Sequence, residues 1–251
     1  MQAENKLPSA CSAASFSIPV FSRSFGTWRL SVDRSPFDQD DLASQYDRQS
    51  ERWHDIIDRN GFVAAYKSVF ARVLRQPRYR QDTHAMRVLD AGVGTGAMSS
   101  AFHAHIGKDF QLDAIDISSA MLQQATQRLG RQGIVVQPKK GSVMELPYLD
   151  DTFDVVLAAH VIEHLPDPHR ALQEMYRVLK PGGILICSVT RASLIGAYVQ
   201  LIWRVHRVSR ATALNWLRQC GLSSVRVIPF ERNSRARRFS LGYVGRKPLL
   251  A

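Results

Sequence analysis

Cysteine is scarce and scattered in this chain of 251 residues: Cys11, Cys187 and Cys220. An odd number at wide spacing supports neither a disulfide framework nor a zinc-binding knuckle. It points to a reducing compartment, here taken as the cytoplasm. No apolar run approaches the roughly 18 residues of a membrane-spanning helix. Acidic residues are nearly missing from one stretch, and the imbalance is local. Residues 1–85 hold 12 Lys/Arg against 10 Asp/Glu, residues 86–190 hold 9 against 11, and residues 191–251 hold 12 against 1. The formal net charge of +11 therefore resides in the last 61 residues. Such a segment suits an anionic partner: a membrane surface, an acidic carrier protein, an acidic substrate or nucleic acid. The alternative is a solvated basic face.

What is present is ordinary globular composition, 45% hydrophobic and 22% charged, enough for one domain with appendages. Residues 1–32 are rich in Ser and Ala, and residues 1–40 are expected to be a disordered tail. Their composition also resembles a mitochondrial transit peptide. Residues 45–74 carry apolar positions at helical spacing, broken at Gly61. From residue 87 a strand–helix alternation begins, with strands expected at 87–90, 110–115, 134–136, 153–159 and 183–189. Helices lie between them, one of them capped by Ser118 or Ser119 and another covering 169–179. Alternation of this kind predicts an α/β fold with a doubly wound parallel sheet. A helix after Ser209 stops at Gly221, and strands at 225–228 and 239–244 complete seven, joined by an Arg-rich loop at 231–238.

The chemistry concentrates at Val88-Leu-Asp-Ala-Gly-Val-Gly-Thr-Gly96. Glycines where a strand becomes a helix permit a tight turn and close approach of a ligand. Asp116 ends the second strand, where an acid can accept both hydroxyls of a ribose. Together they predict an adenosine-containing cofactor at the carboxyl ends of parallel strands. Gly92, Gly94 and Ala97 also satisfy the dinucleotide pattern G-x-G-x-x-G/A, so a nicotinamide cofactor competes.

The third glycine at 96 and Asp90 two residues before the first make the segment resemble the first motif of the class I S-adenosylmethionine-dependent methyltransferases. Leu146-Pro-Tyr148, Asp151-Thr-Phe-Asp-Val-Val156, Glu163-His-Leu-Pro-Asp167 and Val178-Leu-Lys-Pro-Gly-Gly183 follow in family order. They are similar to the small-molecule branch that includes the ubiquinone and menaquinone biosynthesis methyltransferases. The resemblance implies a Rossmann-like methyltransferase fold with N-terminal helices and a helical lid after strand five. It implies S-adenosylmethionine as cofactor, with Asp90, Gly92, Gly94 and Gly96 at its amino-acid end. Asp116 would hold the ribose, and Ile117 and Val143 would flank the adenine. Many relatives carry Asp where this chain has Ser142, so Ser142 is expected to hold the adenine amine more weakly. His160 falls beside the usual position of methyl transfer.

His160-Val-Ile-Glu-His164 reads literally as H-x-x-E-H, a metallopeptidase pattern. That chemistry needs both histidines on one helical face and a further ligand, whereas this segment follows a buried strand and meets Pro166 and Pro168. Some quinone-pathway O-methyltransferases hold a divalent ion near an acid-x-x-Glu-His segment; His160 replaces the first acid, and no metal is assigned. A neutral imidazole at the rim can act as a general base, which makes His160, Glu163 and His164 the catalytic candidates. The alternative is that they only shape the loop. Apolar residues in 194–205 fall at helical spacing and are expected to form the lid, or else core packing. Tyr46, Trp53, Tyr198 and Trp203 are the acceptor-site candidates.

The domain organisation expected is thus a tail (1–40) and a methyltransferase domain (41–251). Within it, 41–80 is a helical cap, 86–190 the cofactor-binding core, and 191–251 a basic lid with the last strands. The expected activity is O- or C-methylation of a small hydrophobic or anionic acceptor. An oxidoreductase would call for a second nucleotide site, and the sequence shows none. A nucleic-acid-binding protein lacks a recognition motif, so nucleic acid is not the expected partner.

Overall fold

In the central strands two apolar faces alternate with period two, as the pleat requires. Val155 and Leu157 of one strand pack with the first core cluster, while Val156 and Ala158 pack with the second. Strands buried on both faces need helices on both sides, which is the doubly wound arrangement. The computed structural model describes residues 18–34, 39–77, 86–107, 110–191, 206 and 208–249.

The described elements run β1 (Ile18–Phe25), β2 (Trp28–Arg34), α1 (Gln39–Arg59), α2 (Phe62–Leu74), β3 (Arg87–Ala91), α3 (Ala97–Ile106), β4 (Gln111–Asp116), α4 (Ser119–Gly130), β5 (Val136–Lys140) and β6 (Phe153–Ala159). A short 3₁₀ turn (Ile162–His164) leads to α5 (Pro168–Val178) and β7 (Leu179–Thr190). Then come α6 (Arg210–Gln219), β8 (Ser223–Ile228), a second 3₁₀ turn (Arg235–Arg238) and β9 (Ser240–Arg246). Seven strands form one sheet in the order β5-β4-β3-β6-β7-β9-β8, parallel except for the antiparallel β9. The chain order reverses between β3 and β6. The carboxyl ends of those two strands are therefore where such a sheet opens a crevice for a ligand. Helices α2 and α3 contribute to the core on one face, and α5 and α6 to the core on the other.

Local signals explain the boundaries. Gly61 at φ 69° separates α1 from α2. Ser118 caps α4, its Oγ accepting the Met121 N–H at 3.1 Å. Asp167 caps α5, and Pro168 occupies its first turn. Ser209 caps α6 through the Thr212 N–H, and Gly221 follows its end at φ 101°.

Four expectations are corrected. The segment expected as an irregular tail contains the antiparallel pair β1–β2, turning at Gly26 (φ 59°). A Gly-Thr turn between aromatic and β-branched runs is a hairpin signal that the Ser/Ala content masked. The third core strand lies at Val136–Lys140 rather than 134–136, because an edge strand carries exposed residues such as Lys139 and Lys140. Strand β7 begins at Leu179, ahead of the Pro-Gly-Gly stop, which it incorporates. The loop expected at 231–238 contains the 3₁₀ turn Arg235–Arg238, anchored by buried Ala236. The proposed lid, with Tyr198 and Trp203, lies outside the described residues.

Candidate active site

The glycine turn at the end of β3 is tied to β4: the Gly92 and Val93 N–H groups donate to the Ile115 carbonyl at 2.8 and 3.0 Å. Gly92 has φ 77°, and a Cβ there would lie 2.3 Å from Val161 Cγ2, so the turn closes against the loop after β6. Gly94 has φ 51° with open space around it, and its N–H donates to Asp116 Oδ2 at 2.9 Å. Gly96 precedes α3 and packs against Leu129 rather than lining the cleft.

Asp116 ends β4 and also accepts the Ser118 N–H on Oδ1 at 3.0 Å. Burial raises its carboxyl to about 6, against the lowering effect of the Ser118, Gly94 and Ile117 N–H groups. Asp90, the residue before the last of β3, lies ahead of the turn and is 1% exposed. Its Oδ2 accepts from Ser99 Oγ at 2.5 Å, and its Oδ1 is buried with no hydrogen-bond partner among the described residues. Burial lifts Asp90 to about 7; the Ser99 hydrogen bond opposes this, and the nearby charge of Asp116 adds to it. Thr95 Oγ1, in the same turn, is also buried and unpartnered. An unpaired buried acceptor and an unpaired buried hydroxyl beside one glycine turn are costly unless a polar ligand meets them.

A cleft opens over this floor, with Gly92, Gly94 and Asp116 at its polar end and Ile117, Ser142 and Val143 beside them. Ser142 Oγ accepts the Met144 N–H at 3.2 Å. Leu42, Tyr46, Met121, Val161 and Leu165 make the remaining wall largely apolar. A smaller cavity on the other side of the turn is lined by Tyr66, Thr95 and Met98 among others, and His160 borders both.

His160 adopts φ 55°, a left-handed backbone that is strained for histidine and held by its N–H to the Ser188 carbonyl at 2.8 Å. Its Nδ1 lies 3.2 Å from Glu163 Oε1 and 3.1 Å from Thr190 Oγ1. Its Nε2 lies 3.4 Å from Ser188 Oγ and 3.3 Å from Ser240 Oγ. Both ring nitrogens thus meet protein groups, so the ring is oriented by its surroundings. Glu163 is fully buried and also accepts the Thr190 N–H at 2.8 Å. Burial pushes its carboxyl up, but the His160 hydrogen bond and the two imidazoles hold it down at about 2. His164 is buried on the cleft wall, and its burial outweighs Glu163 to lower its pKa to about 4, leaving a neutral ring at pH 7. Its Nδ1 meets Tyr46 Oη at 3.2 Å. Tyr46 itself is raised well above an ordinary phenol by burial and by the charges of Asp116 and Glu163. Helix α1 is further tied down by Asp47, which accepts from Ser118 Oγ and from the Ala120 N–H.

The structure therefore brings together Tyr46, Gly92, Gly94, Asp116, Ile117, Ser142, Val143, His160 and His164 around one cleft, with Asp90 and Glu163 buried beneath it. It places Trp53 on α1. The sequence reading missed Thr95, Leu42 and Met121, and the Ser188, Thr190 and Ser240 hydroxyls around His160. Those hydroxyls come from β7 and β9, remote in sequence; the one hint was polar residues inside otherwise apolar strands. The Leu146-Pro-Tyr148 motif has a structural duty as well. Arg177 binds the Leu146 and Tyr148 carbonyls at 3.0 and 2.8 Å and pairs with Glu174 at 2.7 Å.

Comparison with known proteins agrees with this geometry. Residues 89–187 match the model of a methyltransferase domain. The demethylmenaquinone methyltransferase of Lactiplantibacillus plantarum is 32% identical over 153 residues, 60% of this chain and 60% of that protein. The ubiquinone/menaquinone biosynthesis C-methyltransferase UbiE of Marinomonas sp. is 40% identical over 101 residues, 39% of this chain and 40% of that one. The chain thus spans less than two thirds of the length of these relatives. The fold is similar to that of a SAM-dependent methyltransferase from Thermotoga maritima, with TM-score 0.64 at 20% identity over 82% of this chain and 99% of that one. The glycine turn, the acid at the end of β4 and the seven-stranded order occur together with these matches, and residues 89–187 are similar to the methyltransferase domain family.

Proposed function

We propose that this chain transfers a methyl group from S-adenosylmethionine to a carbon or oxygen atom of a small hydrophobic acceptor. The observation that carries the reading is that Asp90 Oδ1 and Thr95 Oγ1 are both buried and unpartnered among the described residues, at the turn whose Gly94 is open to a ligand. The residues fit the cofactor. Asp90 and Thr95 offer an acceptor and a hydroxyl to an amino-acid moiety, Asp116 offers a carboxylate to ribose hydroxyls, and Ile117 and Val143 offer apolar contact to a base. When bound, the cofactor supplies an electrophilic methyl group on a sulfonium.

What the chain adds is alignment and exclusion of water. Leu42, Val161 and Leu165 dehydrate the acceptor side, and Tyr46 and His164 place a phenol and a neutral imidazole on the same wall. His164 accepts a proton from an acceptor hydroxyl only through its neutral form, the form present at pH 7. His160 and Glu163 act as positioning residues, since they hold the loop after β6 by a network of hydroxyls and backbone. Quinone precursors of the kind named for the curated relatives are the acceptors we propose first, because the wall is apolar and the relatives' names share that class. The basic C-terminal region would bring the protein to an anionic membrane surface or an acidic carrier, supported by the 12-to-1 charge ratio of residues 191–251.

Calorimetry tests the reading. S-adenosylmethionine or its demethylated product should bind with micromolar affinity, about −8 kcal/mol. Asp116→Ala should weaken binding, because the ribose loses a charged acceptor. Tight NAD binding without S-adenosylmethionine binding would overturn the assignment.

A further inference from the structure

On the far half of the sheet a second cleft of ≈ 400 Å³ lies apart from the cofactor cleft and shares none of its lining residues. Its floor is apolar and aromatic, with buried Val208 and Tyr243 and with Leu241. Its charged lining consists of Arg191, Arg210 and Arg237. Among the described residues no acidic side chain lines it, and none of the three arginines forms a salt bridge. Three guanidinium groups around one concavity repel one another unless an anion or solvent screens them.

The arginines come from three different elements. Arg191 follows the last residue of β7, Arg210 opens α6, and Arg237 sits in the 3₁₀ turn before β9. Arg191 is aimed by its backbone and side chain together: its N–H donates to the Phe239 carbonyl at 2.6 Å, and its Nη1 donates to the Arg237 carbonyl at 3.1 Å. Burial pushes the Tyr243 phenol up and keeps it protonated, with Cys187 and Glu163 acting in the same direction, while the charges of Arg210 and Arg191 reach the same group and oppose them. Two cations and a hydroxyl donor therefore converge on one place. Alternation along β9 puts Leu241 and Tyr243 on the opposite face from Ser240, which reaches His160.

We propose that the Arg191–Arg210–Arg237 cleft is a binding site for a phosphate group. Guanidinium groups match tetrahedral oxyanions by paired N–H donors, and the phenol of Tyr243 adds a neutral donor. The floor accommodates an apolar substituent on the same ligand. A phosphate of this kind is carried either by a soluble phosphate ester or by a phospholipid headgroup. The site is independent of methyl transfer, so its test does not depend on the activity.

The test uses the full chain and inorganic pyrophosphate as probe, followed by calorimetry at low and at physiological salt. Wild type should bind, and Arg191→Gln/Arg237→Gln should lose at least tenfold in affinity while binding S-adenosylmethionine unchanged. Arg232→Gln/Arg238→Gln removes the same charge outside the cleft and should retain pyrophosphate affinity within about twofold. Arg210→Gln alone should weaken the probe without touching the β7–β9 contacts, which covers the case in which the double variant fails to fold. Phosphatidylglycerol vesicles that displace the probe from wild type, and not from the Arg210→Gln protein, identify a lipid headgroup as the source. Vesicles that leave the probe in place identify a soluble phosphate ester. Equal losses in the two double variants would reduce the cleft to part of a diffuse basic surface and overturn the proposal, as would the absence of wild-type binding at low salt.

Discussion

The residue that asks most of its surroundings is Asp90. A buried carboxyl with one oxygen unpaired and a pKa lifted to about 7 is partly protonated near neutrality. A cationic amino group bound beside it would favour the charged form, so ligand binding and proton release are coupled. The free protein holds the proton below about pH 7 and the complex does not. Cofactor affinity should therefore rise with pH through that value and level off above it. For one linked proton the change between pH 6 and pH 8 is about tenfold. Calorimetry at pH 6.5 in two buffers of different ionisation enthalpy should show proton release, and Asp90→Asn should bind weakly with a flat profile. An affinity for wild type that is constant from pH 6 to 8 would sink the coupling. Asp90 and Asp116 were legible in the sequence because short spacings from the glycine turn and the strand end fix them. The surroundings of His160 were not, since Ser188, Thr190 and Ser240 reach it from strands 28 to 80 positions away. The reading of His160 as a free base at the rim changes with those partners: a ring with both nitrogens engaged orients the loop.

Among the elements, α1 is the one whose role the sequence left most open. Its apolar period showed a helix but not what it covers. In the structure one turn of α1 does two things: Tyr46 meets His164 on the cleft wall, and Asp47 accepts from the capping serine of α4. Ser118 thereby serves three elements, since it also donates its N–H to Asp116 at the end of β4. Ser118→Ala removes the cap of α4 and the bond to Asp47, and caps are worth about 1 kcal/mol with a range near 0.5–2. The variant should lose about 1–2 kcal/mol by urea unfolding. It should lose cofactor affinity in addition, because the same hydroxyl holds α1, whose Tyr46 lines the cleft. Unchanged stability would mean that α1 is not held through this contact. Elements with strong local punctuation, such as α5 with its Asp-Pro start and α6 between Ser209 and Gly221, were readable to within a residue or two. Edge strand β5 was not, because half of its pattern belongs to solvent rather than to the core.

At the scale of the whole molecule the described chain divides by sheet. The seven-stranded sheet carries the two large core clusters, the cofactor cleft and the arginine cleft, the cofactor cleft at β3, β4 and β6 and the arginine cleft at β7, β8 and β9. The hairpin β1–β2 forms its own two-stranded sheet, paired with no other described strand. Phe25, Trp28 and Leu30 are 54%, 80% and 58% exposed, so these large side chains contribute little to either core. An isolated two-stranded ribbon in water is marginal, and its loss should cost the main sheet little. A chain that starts at Pro36 should keep the far-ultraviolet dichroism of the helices and a cooperative melt. Its midpoint should lie within about 4 °C of the full chain, the shift that about 1 kcal/mol produces in a domain of this size. Cofactor affinity should be retained, because Leu42, Tyr46 and Asp47 all lie beyond the cut. A broad melt, or a midpoint lowered by 10 °C or more (roughly 3 kcal/mol on the same scale), would place the hairpin among the elements that the core requires. In that case the boundary drawn from composition near residue 40 fails as a fold boundary, and not only as a description of irregular chain.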